Sequence, residues 1–195
     1  METDFQTLKK IVSARRTTKA ATMNGKKIPD QQVWDLLALA DWAPTHGRTE
    51  PWRFFVYTGD ALKKFGWDHA ELYLSHTPEE KLNPDTPEKL MAATEMPSHL
   101  VVAVMQRGDN PKIPAIEEIA SASAAVQNVL LGAQALGIST IWNTGGMTHK
   151  KAMKDLLGLA EEDIVMGLIY MGYTDEPGRD GKRNISLEEK VKWMR

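Results

Sequence analysis

The chain contains no cysteine among its 195 residues. Disulfides, thiolate metal sites and a thiol nucleophile are excluded with it. No apolar run approaches the roughly 20 residues that cross a bilayer as a helix. The opening METDFQTLKK has no basic start followed by an apolar core, so no secretory leader is read and the expectation is a cytoplasmic protein. Charge of one sign is also missing: 24 basic and 26 acidic residues are mixed along the chain, which removes the basic footprint of a nucleic-acid binder. Common catalytic signatures are absent as well. No G-x-G-x-x-G follows a strand-like run and no G-x-x-x-x-G-K-[ST] occurs, so a Rossmann or P-loop nucleotide site is not expected. There is no H-E-x-x-H and no G-x-S-x-G, and His46, His69, His76, His99 and His149 are too scattered to suggest zinc.

What the chain does have is a stiff polar loop. Trp42 to Thr58 reads WAPTHGRTEPWRFFVYT: a helix end broken at Pro44, then Thr45 to Glu50, then Pro51-Trp52 leading into the strand run Phe54 to Tyr57. Each proline fixes its own φ and pushes the preceding residue out of the helical region. Donors, acceptors and one glycine held between two prolines make either a binding loop on a rigid frame or an ordinary helix-to-strand connection facing water.

Periodicity orders the rest. Residues 4 to about 14 place Phe5, Leu8, Ile11 and Val12 on one helical face, and that helix runs into Arg15-Arg16-Thr17. The two arginines either complement the helix dipole or offer guanidinium forks to an anion such as phosphate. A second helix starts near Asp30, and a third runs from Gly59 through Leu62 and Phe65 toward Leu72. Residues 75 to 98, with Pro78, Pro84, Pro87 and Pro97, read as short helices forming a lid. Leu100 to Met105 is continuously apolar, a strand buried on both faces. Ala115 to Leu136 is the longest helix, and its small-residue stretch Ala120 to Ala125 suits either a central helix or a subunit interface. Gly137 ends it. A short strand, Ile138 to Trp142, then leads to Asn143-Thr144-Gly145-Gly146, a helix over His149 to Leu157, and a strand over Ile164 to Met171. Thr174 to Arg195 forms a C-terminal arm with a final helix through Leu187, Val191 and Trp193. Helices and buried strands without an even βαβ rhythm predict one α+β domain over 1–195, a central mixed sheet flanked by helices.

Three separated pieces then align. Arg15-Arg16-Thr17, the Pro44 to Trp52 loop and Trp142-Asn143-Thr144-Gly145 occur in this order, with Gly137 to Trp142, Leu157-Gly158 and Gly172-Tyr173 at matching spacing. Together they resemble the FMN-dependent nitroreductase family, in particular its smaller single-domain members, over nearly the whole chain. The resemblance implies an intertwined homodimer with two FMN sites at its interface. It also implies ping-pong chemistry, in which NAD(P)H reduces the flavin and a nitroaromatic or quinone-like acceptor takes the electrons. Carried onto this sequence, Arg15, Arg16 and Thr17 hold the FMN phosphate and ribityl chain, and His46 and Glu50 meet the flavin from the loop. Trp142, Asn143 and Thr144 meet the ring and ribityl groups. Arg183 is either a second phosphate ligand or a solvated charge.

Two residues depart from the family pattern: Thr45 stands for a serine, and Glu50 for a glutamine. A carboxylate accepts hydrogen bonds and donates none, so Glu50 either faces the flavin's pyrimidine edge or pairs with Arg48. The flavin carries the hydride, which leaves the protein binding and orientation, and no catalytic residue is assigned. Residues 65 to 97 are expected to rim the acceptor slot, with Trp67 and Tyr73 either stacking partners or core. A flavin-binding carrier or sensor on the same fold is the alternative to an enzyme.

Overall fold

A computed structural model describes residues 3–195. Its centre is a four-stranded antiparallel sheet made of β1 (Trp52–Thr58), β2 (His99–Met105), β3 (Ser139–Asn143) and β4 (Ile164–Gly172), in the order β1-β2-β4-β3. Every residue of β2 is buried. Val101, Ala103 and Met105 face the helices α2 (Asp30–Ala40) and α5 (Ala115–Ala135) through Leu36, Ala40, Val126 and Val129. Leu100, Val102 and Val104 face the opposite way, toward α3 (Gly59–His76), where Leu62 and Phe65 meet Met153 of the short helix Lys151–Leu157. Alternation along a strand and helices on both sides explain an unbroken apolar run in an antiparallel sheet. The α+β expectation holds, and the parallel pairing is confined to an isolated bridge, Thr17 to Thr140, on the outer edge of β3.

In β4 the alternation reverses at one point. Val165 packs on the α3 side and Met166 on the α5 side, yet Leu168 returns to the α3 side and Ile169 to the α5 side. An extra residue is therefore inserted between them, and the pairing jumps from Ala103–Gly167 to Val104–Val165. Gly167 occupies the bulge at φ 151°, a conformation open to glycine. The Trp142 indole lies against it and donates from Nε1 to Met166 O at 2.9 Å.

Several boundaries shift from the sequence expectation. The third helix continues past Leu72 to His76, the helix expected from His149 begins at Lys151, and the last helix is one turn, Leu187–Lys190, capped by Ser186 and not reaching Trp193. Residues 75–98 do form short helices, Glu79–Lys81 and Thr86–Ala92, docked through buried Leu90 and Thr94. Trp67 is not core: it is 64% exposed, while the Tyr73 hydroxyl accepts from Asn83 N at 2.8 Å. No helix among the described residues is long and apolar enough to cross a membrane.

Two histidines, His69 and His99, are buried, and burial disfavours the charged form of each. His99 Nε2 lies 3.1 Å from the Asp30 carboxylate, which only accepts, so Nε2 carries the proton. Its bare Nδ1 then accepts from the Ser98 hydroxyl at 2.9 Å, and Ser98 Oγ accepts from Ile28 N at 2.8 Å. This relay ties the start of α2 to the start of β2. Burial lowers the His99 pKa, against the opposing pull of Asp30, and burial alone lowers that of His69 from 6.5 to about 4.

Gly167→Ala should collide with the Trp142 indole and with Asn143 O, which a Cβ would meet at 3.0 Å. We expect a loss of about 2 kcal/mol in unfolding free energy, with one indole N–H resonance losing its protection from exchange. The histidines set an acid limit. Because both folded-state pKa values are lowered, stability is full above the ordinary histidine pKa near 6.5 and falls with pH through the window down to about 4. From about pH 7.5 to about pH 5, His69 should account for a loss of roughly 2 kcal/mol in urea titrations, and His69→Gln should show a smaller loss.

Candidate functional site

Arg15 and Arg16 follow directly on α1 (Asp4–Ala14), where the backbone leaves helical geometry at Arg15, φ −59° and ψ 126°. The extended chain then joins the edge of β3, with Thr18 N donating to Thr140 O at 2.9 Å. The two arginines do different work. Arg16 is committed to backbone carbonyls: Nη1 donates to Ser13 O at 2.7 Å and to Arg15 O at 2.8 Å, and Nε donates to Arg179 O at 3.0 Å. Gly181 packs against the same guanidinium, so Arg16 also pins the C-terminal arm, and Nη2 is its remaining donor. The Arg15 side chain makes no hydrogen bond or salt bridge among the described residues and is free for an anion. A cleft is lined by Arg16, Thr17, Lys19, Ser139 and Arg179, and the Arg15 side chain is not part of that lining. Arg183 lies in the exposed arm, and among the described residues its side chain hydrogen-bonds only to Lys182 O, at 3.1 Å.

At the far end of β3, Trp142 is 37% exposed, and its bond to Met166 O fixes which way the ring faces. Asn143 Oδ1 accepts from Gly145 N at 2.9 Å and closes the following turn. Thr148 Oγ1 donates to Gly145 O at 2.6 Å from below. Among the described residues the amides of Thr144 and Gly146 have no partner, so the exposed turn presents two donors.

The Pro44 to Pro51 loop is held from within. Thr45 Oγ1 accepts from Glu50 N at 3.1 Å and lies 3.1 Å from Thr49 Oγ1. Arg48 and Glu50 sit at φ 56° and 43°, left-handed backbone that costs a residue with a side chain about 1–2 kcal/mol. Arg53 steadies the exit by donating to Glu50 O at 2.8 Å. The His46 imidazole pairs through Nδ1 with the Glu117 carboxylate in the first turn of α5. Glu50 is exposed and does not pair with Arg48.

The two groups do not meet within one chain. Thr17 bridges Thr140, in a register row that runs through Met171 and His99 to Thr58. Glu50 precedes Trp52, at the opposite end of β1 and on the opposite edge of the sheet. Three inter-strand steps put the edges roughly 14 Å apart, and six residues of strand add roughly 20 Å along it. Both faces between these corners are covered by helices. One residue near the turn escaped the sequence reading: His69, buried under Gly146 and accepting from Met147 N at 2.8 Å. In the sequence it is one more residue on a core-facing helix stripe.

The architecture is shared with solved proteins. A nitroreductase-like family protein from Bacillus cereus superposes with a TM-score of 0.83 at 23% identity, covering 100% of this chain and 99% of that one. The FMN-dependent nitroreductase NfnB from Mycobacterium smegmatis, solved in complex with NADPH, gives 0.76 at 15% identity over 98% and 100%. At these identities they speak for the fold. In sequence, "Putative NAD(P)H nitroreductase YfhC" of Bacillus subtilis (strain 168) is 29% identical over 181 residues, 90% of this chain and 89% of that protein. The model of the Nitroreductase family matches residues 12–173, and the chain belongs to that family.

Proposed function

We propose that the chain is an FMN-dependent NAD(P)H oxidoreductase that acts as a homodimer, passing electrons to nitroaromatic or quinone-like acceptors. One observation carries the reading: two polar half-sites lie on opposite edges of a sheet whose faces are closed. Each lacks what the other has. Arg15, Thr17, Trp142 and the Thr144–Gly146 amides offer cations, a hydroxyl, an aromatic face and donors. His46 and Glu50 offer an imidazole and a carboxylate on a strained loop. A second copy that docks the loop of one chain against the Arg15 edge of the other completes the site.

The residues present suit FMN. A dianionic phosphate takes guanidinium and hydroxyl donors, which Arg15, the spare Nη2 of Arg16, and Thr17 supply, and Arg183 of the exposed arm is a further candidate phosphate ligand. Trp142, Asn143 and Thr144 suit the ribityl chain and ring. When bound, flavin supplies two-electron chemistry between nicotinamide and acceptor, and the protein supplies binding and orientation. Exposed apolar side chains favour self-association. Trp42 is 87% exposed and Trp34 68%, and a groove beside Trp42 is lined by Leu8, Ile11, Leu39 and Leu131.

The exposed Glu50 carboxylate, where relatives in the resemblance carry an amide, favours a second reading, a flavin-binding carrier or sensor. Near reduced flavin its charge opposes the negative charge that develops on the ring.

Purified protein, or protein titrated with FMN, should be yellow with a flavin spectrum, and anaerobic NADH or NADPH should bleach it. Colourless protein that ignores FMN overturns the proposal, and bound flavin that never bleaches leaves the carrier reading. Arg15→Ala should weaken FMN binding by roughly 10- to 100-fold, the loss of one charge-assisted contact. Unchanged affinity removes Arg15 from the phosphate site.

A further inference from the structure

His69 is 1% exposed and sits among Phe65, Leu90 and the backbone of Gly146. Its Nε2 accepts from Met147 N at 2.8 Å. A neutral imidazole that accepts at Nε2 carries its proton on Nδ1, and that Nδ1 is buried with no partner. A leucine or phenylalanine would fill this space without an orphaned donor, which costs about 1–3 kcal/mol. A buried polar group left half satisfied needs a reason beyond packing. The reason the geometry offers is the acceptor on its other nitrogen.

That acceptor lies directly beneath the turn. Gly146 sits at φ 63°, and a Cβ there would come within 2.5 Å of His69 Nε2 and 3.0 Å of Leu90 Cδ2, so the turn backbone rests on the ring. Residues 144–147 have four further ties among the described residues: Gly145 N to Asn143 Oδ1, Thr148 N and Thr148 Oγ1 to Gly145 O, and Lys150 N to Met147 O. All are local and shape the turn without placing it. Met147 N to His69 is the hydrogen bond that anchors the turn to another element, α3.

We propose that His69 is a positioning residue for flavin, holding the Thr144–Gly146 turn from below so that its two free amides point out toward the ligand. This rests on the FMN reading above. His69 touches neither ligand nor solvent, and it acts through the Met147 amide. α3 also receives the 75–98 segment, through Thr94 against Gly66 and Asn83 N on the Tyr73 hydroxyl, so the same helix joins the turn to the segment expected to rim an acceptor slot.

The test compares three variants of the full chain. His69→Gln keeps an acceptor at the reach of Nε2, His69→Asn is one methylene too short, and His69→Leu keeps volume alone. Amide exchange over 144–148 is read by mass spectrometry without added FMN, and FMN affinity and the bound flavin spectrum are read by titration. Asn and Leu should exchange roughly tenfold faster over this peptide and bind FMN roughly tenfold more weakly, with Gln close to wild type. Should Leu fail to fold, the Gln and Asn pair decides. Equal behaviour of Gln and Asn in both readouts, or wild-type values in Asn, overturns the proposal. Wild-type protein that binds no FMN overturns the flavin reading and the turn's purpose with it, while an exchange difference between Gln and Asn would still show that His69 holds the turn.

Discussion

Strand β2 is closed to solvent along its whole length, with helices pressed on both faces. That constraint decides where chemistry can happen. An open-faced sheet could carry a ligand on its bare side; this one leaves only edges and ends. Polar residues accordingly collect at the corners: Arg15 to Thr17 on the β3 edge, the Pro44 to Pro51 loop where β1 begins, and the Thr144–Gly146 turn where β3 stops. A ligand that needs all three cannot be enclosed by one chain.

Within that frame, single side chains are divided by their partners more than by their type. Arg15 and Arg16 are neighbours, yet Arg16 spends three donors on backbone carbonyls and fastens the arm, while Arg15 stays available. Thr45, standing where the resembling family has serine, is used up inside its own loop as acceptor for Glu50 N. The left-handed backbone at Arg48 and Glu50 is strain held by that internal bonding and by Arg53. Glu50 is thereby displayed outward and kept away from Arg48, which removes one of the two roles the sequence left open for it.

Much of this was legible beforehand where the signal is local. The unbroken run Leu100 to Met105, the glycine stop at Gly137 and the proline-bracketed loop each encode their form within a few residues. The order of three weak motifs carried the family. Other features depend on pairing across the chain. The bulge at Gly167 shows only as a reversal of alternation against β2, and in sequence the segment IVMGLIYM reads as a plain strand. His69 looked like one of five scattered histidines until α3 was laid under Gly146.

The sequence by itself determined most of the elements, the two-sided burial of the strand Leu100 to Met105, the absence of thiol chemistry, and the residue types on offer to an anion. These follow from periodicity, composition and local sterics. Tertiary structure alone decided the strand order, and with it the separation of Arg15 from His46 and Glu50. It also decided which arginine is free and that a neutral histidine sits beneath the turn. Such facts rest on contacts between residues far apart in the chain, which no short window of sequence contains.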